Sequence, residues 1–400
     1  MTTSCSRRKF LGALGATAGV LLARPLSLLA DTAPVARVAV GMCREYGSGV
    51  LPTMTTMFDQ LGGLDELVGG KTVAVKLNLT GMAYDRLGHL PASETHWVHP
   101  DVVGATVRLL AKAGASKVRL LESPTNSAEP LEEFMLSANW DPRDFQNLGT
   151  RVEFENTNFL GYGKKYTRFM VPGNALMYKG YDLNHSYEDC DVFVSLAKMK
   201  EHFTAGITLS MKNCFGLTPC TIYGAGAGID EPSETPNGGR TPIHTGNREP
   251  SKSAPQEKDP KTPREDTWRV PRTVVDLVAA RPVHLAIVEG VKTMTGGEGP
   301  WIREDLQPAA PGVIMAGLNP VNTDAVAMAV MGFDPMAVRG TPPFERCDST
   351  LKLAEDAGIG TRDLSRIEVV GDSIAAVKFD FAAIRKRRRA APLPSFGVRG

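Results

Sequence analysis

The sequence predicts an α/β fold with a mostly parallel sheet, flanking helices and one long insertion loop. Short apolar runs rich in β-branched residues recur along the chain and have the length of buried strands. Because these runs are continuously apolar, they indicate a sheet that is covered on both faces. Helical patterns lie between several of them, and this alternation is typical of parallel sheets. The predicted strands cover residues 35–42, 72–79, 118–121, 192–196, 285–288, 313–316 and 367–370.

Two helices are predicted from the residues at their ends. The first begins at Pro100 and stops at Gly114, since proline favours the first helical turn and glycine the position after the last turn. The second is expected over residues 323–331, with Asp324 as an acidic residue in its first turn and Gly332 at its end.

Over residues 224–267 the composition shifts to glycine, proline, serine and charged residues of both signs, without apolar periodicity. This composition predicts a long insertion loop and not a separate domain. Two interpretations of the loop stay open: a partly disordered segment, or a lid over a site. The remainder of residues 31–380 is expected to form a single domain. Residues 381–400 are interpreted as a solvated basic tail, with a surface-binding patch as the alternative.

Composition places the chain among ordinary globular proteins. Hydrophobic residues make up 42% of it and charged residues 22%. The 45 lysines and arginines nearly balance the 44 aspartates and glutamates, which leaves a formal charge of +1. Such a chain has no global field to attract nucleic acid, so we expect no nucleic-acid partner.

The cysteines form no C-x-x-C pair, so the sequence encodes neither a zinc ribbon nor a ferredoxin-type iron–sulfur run. Cys214 and Cys220 could form a disulfide in an oxidising compartment, although buried free thiols are the favoured interpretation.

The N-terminus carries the pair Arg7-Arg8, followed by an apolar stretch softened by glycine and alanine. This pattern predicts a twin-arginine signal peptide, which the twin-arginine export machinery recognises. A membrane anchor is the alternative, but Arg24 and Pro25 interrupt the apolar stretch before the ~20 residues that a spanning helix needs. We therefore expect residues 1–30 to be removed. The mature protein is then expected to be periplasmic or otherwise exported, without a stable membrane span.

Basic residues follow the predicted strand at 192–196. Lys200 and His202 come shortly after the strand, and Lys212 lies ten positions beyond His202. In open α/β sheets ligands bind at the carboxyl ends of strands. A lysine that is partly desolvated beside other cations can become a base or an amine nucleophile, and histidine titrates near neutrality. We predict that these three residues form a reactive cluster; surface lysines with a satisfied loop histidine are the alternative.

Other polar residues at predicted strand ends are candidates for holding a ligand or cofactor. A glycine-rich turn over residues 296–300 would let backbone approach a ligand, although most such turns are structural. Asp324 has an alternative role as a helix-start acid. The candidates are Asn78, Lys198, Asn213, Glu289, Glu298 and Asp324.

Three further histidines lie in one polar loop before the helix at Pro100, namely His89, His96 and His99. They could hold a metal, but a capping role for His99 is the simpler interpretation. The identity of any metal or organic cofactor is unknown from the sequence.

Several ordered motifs resemble the family known as domain of unknown function 362, from about residue 35 to about residue 370. They lie at residues 73–79, 198–202, 211–216, 296–300 and 319–332. Many relatives carry a ferredoxin-like iron–sulfur module, and this chain lacks the cysteines for one.

Residues 202–208 and Lys212 are also locally similar to the nickel-pincer-dependent lactate racemase. That resemblance implies that Lys212 anchors a cofactor and that His202 moves a proton. In the racemase another histidine follows soon after the lysine as a nickel ligand, whereas the next histidine here is His244.

These observations lead to one functional hypothesis and its alternatives. The leading hypothesis is an exported enzyme that acts on a small anionic molecule by acid–base chemistry, with Glu289 or Glu298 assisting Lys200, His202 and Lys212. The alternative is a non-catalytic periplasmic accessory protein that binds a ligand or metal. An electron-transfer partner is disfavoured by the lack of cluster-binding cysteines.

Overall fold

A sheet of eight strands forms the centre of the protein. The computed structural model describes residues 36–125, 127–159, 165–229, 236, 238–260, 264–302, 306–381 and 383–384. The sheet contains β1 (Ala36–Met42), β2 (Thr72–Lys76), β3 (Lys117–Glu122), β4 (Arg151–Asn156), β7 (Val192–Lys198), β10 (Leu285–Gly290), β13 (Val313–Gly317) and β14 (Ile367–Gly371). Two-stranded sheets pair β5 (Tyr166–Met170) with β6 (Gly180–Asn184), β8 (Lys200–His202) with β9 (Gly206–Thr208), and β11 (Thr293–Thr295) with β12 (Gln307–Ala309).

The strand order of the central sheet is β14-β1-β13-β10-β7-β2-β3-β4. Strand β13 runs antiparallel to both of its neighbours, whereas the other neighbouring pairs are parallel. The predicted mostly parallel α/β fold is therefore confirmed. From β2 the chain adds β3 and β4 on one side, and later β7 and β10 on the other. A reversal of this kind leaves a crevice at the carboxyl ends of β2 and β7, which is where ligands bind in open α/β sheets.

Helices cover both faces of the sheet. One hydrophobic core joins α1, α3 and α4 to Val73 and Val75 of β2, and the other joins α8, α9 and α10 to Ala74. Neighbouring β2 side chains thus enter opposite cores, which explains why the strand is apolar at consecutive positions. The helices are α1 (Val50–Gln60), α2 (Asp65–Val68), α3 (Pro100–Lys112), α4 (Leu131–Leu136), α5 (Ser210–Asn213), α6 (Cys220–Tyr223), α7 (Thr241–His244), α8 (Arg269–Ala280), α9 (Pro320–Val330), α10 (Thr350–Asp356) and α11 (Ile374–Val377).

All the predicted strands fall in the central sheet, with corrected ends. Strand β2 stops at Lys76, whereas the prediction extended to residue 79, because the Leu79 backbone N–H donates to the side-chain carboxylate of Glu122 at 2.8 Å instead of to a backbone carbonyl of β3. Strand β4 was not predicted, since it is a charged edge strand without a continuous apolar run. Val35 lies outside the described residues.

The first predicted helix is confirmed as α3. His99 is its N-cap, and the His99 ring accepts a hydrogen bond from the Asp101 backbone N–H at 3.2 Å, so the capping interpretation is confirmed. Gly114 follows the helix with a φ of 85°, which suits glycine.

The second predicted helix begins three residues too late, since α9 starts at Pro320 behind an Asn319 N-cap. Asp324 therefore lies inside the helix and not in its first turn, so its prediction as a helix-start acid is wrong.

The segment predicted as an insertion loop contains one helix among its described residues, the four-residue α7. Cys214 and Cys220 are buried free thiols, as the sequence favoured. No helix within the described ranges has the length and apolar character needed to cross a membrane. The predicted signal at residues 1–30 lies outside the described residues, as does most of the predicted tail, from residue 385 onward.

Asp276 provides a test of how the face containing α8 is held together. Its buried carboxylate accepts backbone hydrogen bonds from Leu176 and Met177, both at 2.7 Å, and from Tyr178 at 3.1 Å. We expect Asp276→Asn to cost about 1–3 kcal/mol of unfolding free energy, because an amide cannot accept on both sides and leaves a buried N–H unsatisfied. Urea unfolding measures the loss. The control is Asp356→Asn, which changes an exposed side chain at the end of α10 and which we expect to lower the free energy of unfolding by less than about 1 kcal/mol. Equal losses in the two variants would contradict the role of Asp276 as a buried acceptor.

Candidate functional site

A cavity of about 420 Å³ opens at the carboxyl ends of β2 and β3, next to the point where the strand order reverses. Its walls come from the ends of β2 and β3, from β8, β9 and α5, and from α7 of the insertion loop. Of the predicted site residues, the cavity is lined by Asn78, His202, Lys212, Asn213 and Glu298. The structure places Lys198, Lys200, Glu289 and Asp324 behind this lining.

Lys76 and Glu122 form a buried ion pair at the ends of β2 and β3. The Lys76 Nζ lies 2.5 Å from Glu122 Oε1 and also donates to the Leu77 carbonyl at 2.6 Å. Gly216 lies against this pair, since a Cβ at that position would come within 2.8 Å of the Lys76 Nζ. Burial lowers the pKa of Lys76, while Glu122 opposes that shift. The Lys76 ammonium is therefore largely neutralised by Glu122.

Lys198 and Glu289 are paired with each other outside the cavity. The Lys198 Nζ lies 2.6 Å from Glu289 Oε2 and also donates to the carbonyls of Ser93 and Lys292, at 2.9 and 2.7 Å. Tyr46 donates to the other carboxylate oxygen of Glu289 at 2.7 Å. With these partners the pair has little capacity left for a ligand.

Lys200 is also buried behind the cavity. Its Nζ donates to the His96 carbonyl at 2.6 Å, and the side chain has no exposed surface. Burial and the nearby Lys212 and Lys198 lower its pKa well below the usual range, against the attraction of Glu298. Its position suits an electrostatic influence on the site more than direct contact with a ligand.

Two buried side chains fix the short helix α5 on which Lys212 lies. Asp324 accepts from the Ser210 backbone N–H at 2.8 Å and from the Met211 backbone N–H at 2.9 Å. Asn213 donates to the Lys76 carbonyl at 3.2 Å and to the Ser195 hydroxyl at 3.0 Å. Burial raises the pKa of Asp324 to about 7, although these backbone donors favour its charged form. Both residues position the helix, and neither presents a free group to the cavity.

Lys212 differs from the other buried lysines because none of the described residues accepts a hydrogen bond from its Nζ. The ammonium lies 4.4 Å from the centre of the Phe215 ring. Burial lowers its pKa to about 7; Glu298 opposes this shift, and Arg240 and Lys76 add to it. A substantial fraction of this amine is therefore neutral near pH 7.

The hydrogen bonds of His202 define which of its nitrogens carries the proton. Its Nδ1 accepts from the Thr204 backbone N–H at 3.1 Å, so a neutral ring carries its proton on Nε2. Burial, with Lys212 and His244 nearby, lowers the pKa of His202 well below its usual value. At neutral pH the ring is an Nε2–H donor, and no described residue accepts from it.

His244 has the opposite arrangement. Its Nδ1 lies 3.1 Å from the Arg240 carbonyl, and since a carbonyl only accepts, the neutral ring keeps a lone pair on Nε2. Burial and Lys212 lower the pKa of His244 well below its usual value. The rings of His202 and His244 are parallel within 2°, with centroids 6.0 Å apart. The cavity thus contains one histidine that donates and one that accepts.

Arg240 brings a second positive charge into the lining. Its Nε donates to the Thr218 carbonyl at 2.6 Å and its Nη2 to the Ser123 carbonyl at 2.7 Å. Its Nη1 has no hydrogen-bond acceptor in the described part of the chain, and no carboxylate there lies within ion-pair distance. The Thr208 hydroxyl, also in the lining, is buried without a partner. A buried guanidinium in this state suits an anionic ligand.

Four residues of the lining were not predicted as site residues from the sequence, namely Lys76, Glu122, Arg240 and His244. The first two follow apolar strand runs, so the criterion that selected Asn78 would have found them. Arg240 and His244 lie in an insertion without periodicity, and only the folded chain brings them to the cavity.

The three loop histidines do not form a metal cluster. Searching the described ranges finds no group of three or more histidine, cysteine, aspartate or glutamate residues that could hold a metal ion. His99 caps α3, and the ring of buried His96 packs edge-on against Trp301 with centroids 5.6 Å apart.

The fold and the cavity define an α/β protein with a crevice near the strand-order reversal. The chain belongs to the family described as domain of unknown function DUF362, which matches residues 73–329. The family resemblance of the sequence is thereby confirmed, over a shorter range than expected. No curated protein matches the chain.

Among solved structures, two are similar to this chain at low identity. A Thermotoga maritima protein shares 14% identity with a TM-score of 0.35, over 78% of this chain and 60% of that one. The lactate racemase apoprotein from Thermoanaerobacterium thermosaccharolyticum shares 11% identity with a TM-score of 0.32, over 66% of this chain and 52% of that one. The chain thus covers between about half and three fifths of the proteins it matches.

The burial of Lys212 predicts a pH-dependent cost to stability. Below about pH 7 the Lys212 amine is charged in both the folded and the unfolded chain, and the folded chain holds a buried ammonium. Between about pH 7 and 10.5 the amine is protonated more in the unfolded chain than in the folded chain. The free energy of unfolding therefore rises with pH over this range. We expect Lys212→Met to stabilise the protein by a few kcal/mol at about pH 6, and by less as the pH approaches 10.

Urea unfolding at several pH values measures this difference. The control Lys352→Met replaces an exposed lysine on α10, and we expect little change at any pH. A loss of stability in Lys212→Met at about pH 6 would contradict the assignment of an uncompensated buried amine.

Proposed function

We propose that the cavity is the active site of an enzyme that transfers a proton on a small, carboxylate-bearing molecule. The supporting observation is that Lys212, Arg240, His202 and Thr208 line one cavity, and each has a polar atom with no hydrogen-bond partner among the described residues; of these atoms the Thr208 hydroxyl is fully buried. Polar atoms that the protein leaves unpaired around one cavity suit the binding of a polar ligand.

Each group has a distinct role in this proposal. The Arg240 guanidinium, held by carbonyls through Nε and Nη2, binds the carboxylate of the substrate through Nη1. The Lys212 amine accepts a proton, and a pKa of about 7 suits a base that works near neutrality. The His202 Nε2–H donates to an oxygen on which charge develops. The His244 Nε2 lone pair is a second proton acceptor.

The cavity also limits the size of the substrate. Its volume of about 420 Å³ lies near the lower end of ligand sites, which span roughly 300–1,000 Å³. Trp301 and Gly81 belong to the same lining, and Trp301 packs closely on Gly81 and on Gly299, since a Cβ at either glycine would come within 2.1 Å of its ring. A compact metabolite fits such a space better than a polymer.

Proton transfer is tested by deuterium exchange without knowledge of the natural substrate. The protein is incubated in D₂O with pyruvate, lactate, malate or aspartate, and NMR follows loss of the C–H signal beside the carboxylate or carbonyl. We expect exchange of at least one probe, and a fall of about 10²–10⁴-fold in Lys212→Met, because the base is removed. Lys352→Met is the matched control and keeps the wild-type rate.

Arg240→Met separates binding from chemistry. We expect a higher probe concentration for half-maximal exchange, with a smaller effect on the maximal rate. Probe binding without exchange by the wild type would contradict the enzyme and favour a non-catalytic ligand-binding protein. Exchange that persists in Lys212→Met would remove the role of this lysine as base.

We also propose that the mature protein reaches the periplasm, or an equivalent exported location, through the twin-arginine machinery. The sequence Arg7-Arg8 before a moderately apolar stretch supports this proposal. The route transports folded proteins, so the cavity and anything bound in it would form in the cytoplasm before export.

Paired substitution of the arginines tests export. We expect Arg7→Lys with Arg8→Lys to leave the full-length precursor in the cytoplasm, because the receptor no longer reads the address. Cell fractionation and the N-terminal sequence of the exported form measure the result. Arg24→Lys, outside the pair, is the control and keeps normal export. Equal export of both variants would contradict the twin-arginine route.

A further inference from the structure

Four lysines of the described residues are buried, and their hydrogen bonds separate them into two kinds. The Nζ atoms of Lys76 and Lys198 each contact a carboxylate and at least one carbonyl. The Nζ of Lys200 donates to the His96 carbonyl. An amine in such a setting uses its protons as hydrogen-bond donors. Only Lys212, within the described ranges, has no oxygen acceptor.

We propose that Lys212 forms an imine with the carbonyl group of a small 2-oxo acid bound in the cavity. This inference rests on the proposed function and names the substrate class for that site; once the imine has formed, the His244 Nε2 lone pair, the second acceptor, takes the proton from the substrate carbon. A nucleophilic amine needs its lone pair, so the lysine without acceptors is the one suited to attack. Its position over the Phe215 ring, 4.4 Å away, keeps the amine in the cavity without hydrogen-bonding it.

Arg240 provides the carboxylate-binding group of the lining, which also contains the acids Asp85, Glu122 and Glu298, with Glu122 already paired to Lys76. The guanidinium of Arg240 and the amine of Lys212 line the same cavity of about 420 Å³. A carboxylate bound at Arg240 would therefore hold a neighbouring carbonyl carbon near the amine. The 2-oxo acids are the class in which carboxylate and carbonyl are adjacent.

The two histidines provide the hydrogen bond and the proton transfer that imine formation requires. The Lys212 Nζ bonds to the carbonyl carbon, and the C=O π pair moves to oxygen, where the His202 Nε2–H donates a hydrogen bond. A proton passes from nitrogen to His244 Nε2 and then to that oxygen, giving a carbinolamine. The oxygen leaves as water with the second nitrogen proton as the C=N bond forms. Amine and ketone thus become imine and water, with no net oxidation or reduction.

Reductive trapping tests the imine. The full-length protein is incubated with pyruvate and sodium cyanoborohydride, digested, and analysed by peptide mass spectrometry. We expect one reduced pyruvate adduct per chain, on Lys212, and none on Lys76, Lys198 or Lys200, which are internal controls. Lactate replaces pyruvate in a second control, since it lacks the carbonyl and yields no adduct.

Two variants make the result specific. The Lys212→Met variant should form no adduct, and circular dichroism should show that it remains folded. Arg240→Met should need a roughly ten- to hundredfold higher pyruvate concentration for half-maximal trapping, as expected for loss of a charge-assisted hydrogen bond. Adducts spread over surface lysines, or trapping unchanged in Arg240→Met, would overturn the proposal.

The outcomes also separate this inference from the proposed function. Deuterium exchange that depends on Lys212 without any trapped adduct would overturn the imine and leave acid–base catalysis standing. Trapping on Lys212 without exchange of any probe would support the imine and overturn proton transfer as the reaction of the site.

Discussion

The site depends on the way the helix α5 is joined to the central sheet. Asn213 connects this four-residue helix to the ends of β2 and β7, and Asp324 holds its first backbone N–H groups from the helix α9. A helix of this length has little stability of its own, so tertiary contacts must hold it. These contacts place Lys212 at the reversal of strand order and keep its amine away from the oxygens that surround the other buried lysines.

The buried lysines show how one residue type acquires different roles. Lys198 has a carboxylate and two carbonyls around its ammonium, which offset the cost of burial. Lys212 has a phenyl ring and no such oxygens in the described structure, and burial lowers its pKa to about 7. The first arrangement stabilises the fold around the site, whereas the second carries a local cost to stability. Costs of this kind are typical of functional positions.

His202 and His244 give the cavity one hydrogen-bond donor and one hydrogen-bond acceptor with fixed positions. Each ring is neutral because burial beside Lys212 disfavours a further positive charge. Backbone groups then fix the proton on Nε2 of His202 and the lone pair on Nε2 of His244. A ligand between these groups would meet a donor and an acceptor whose roles are set before it binds, and this preorganisation is what catalytic sites require.

The sequence by itself determined the sheet class, most strands, the cap of α3 by His99 and the positions of His202 and Lys212 near strand ends. These features follow from apolar periodicity and chain order, which are local. Only the tertiary structure decided that Lys198 and Glu289 are paired away from the cavity, that Asp324 holds α5, and that Arg240 and His244 come from the insertion to the lining. Partners distant in sequence decide whether a buried charge is satisfied, and no local pattern encodes them.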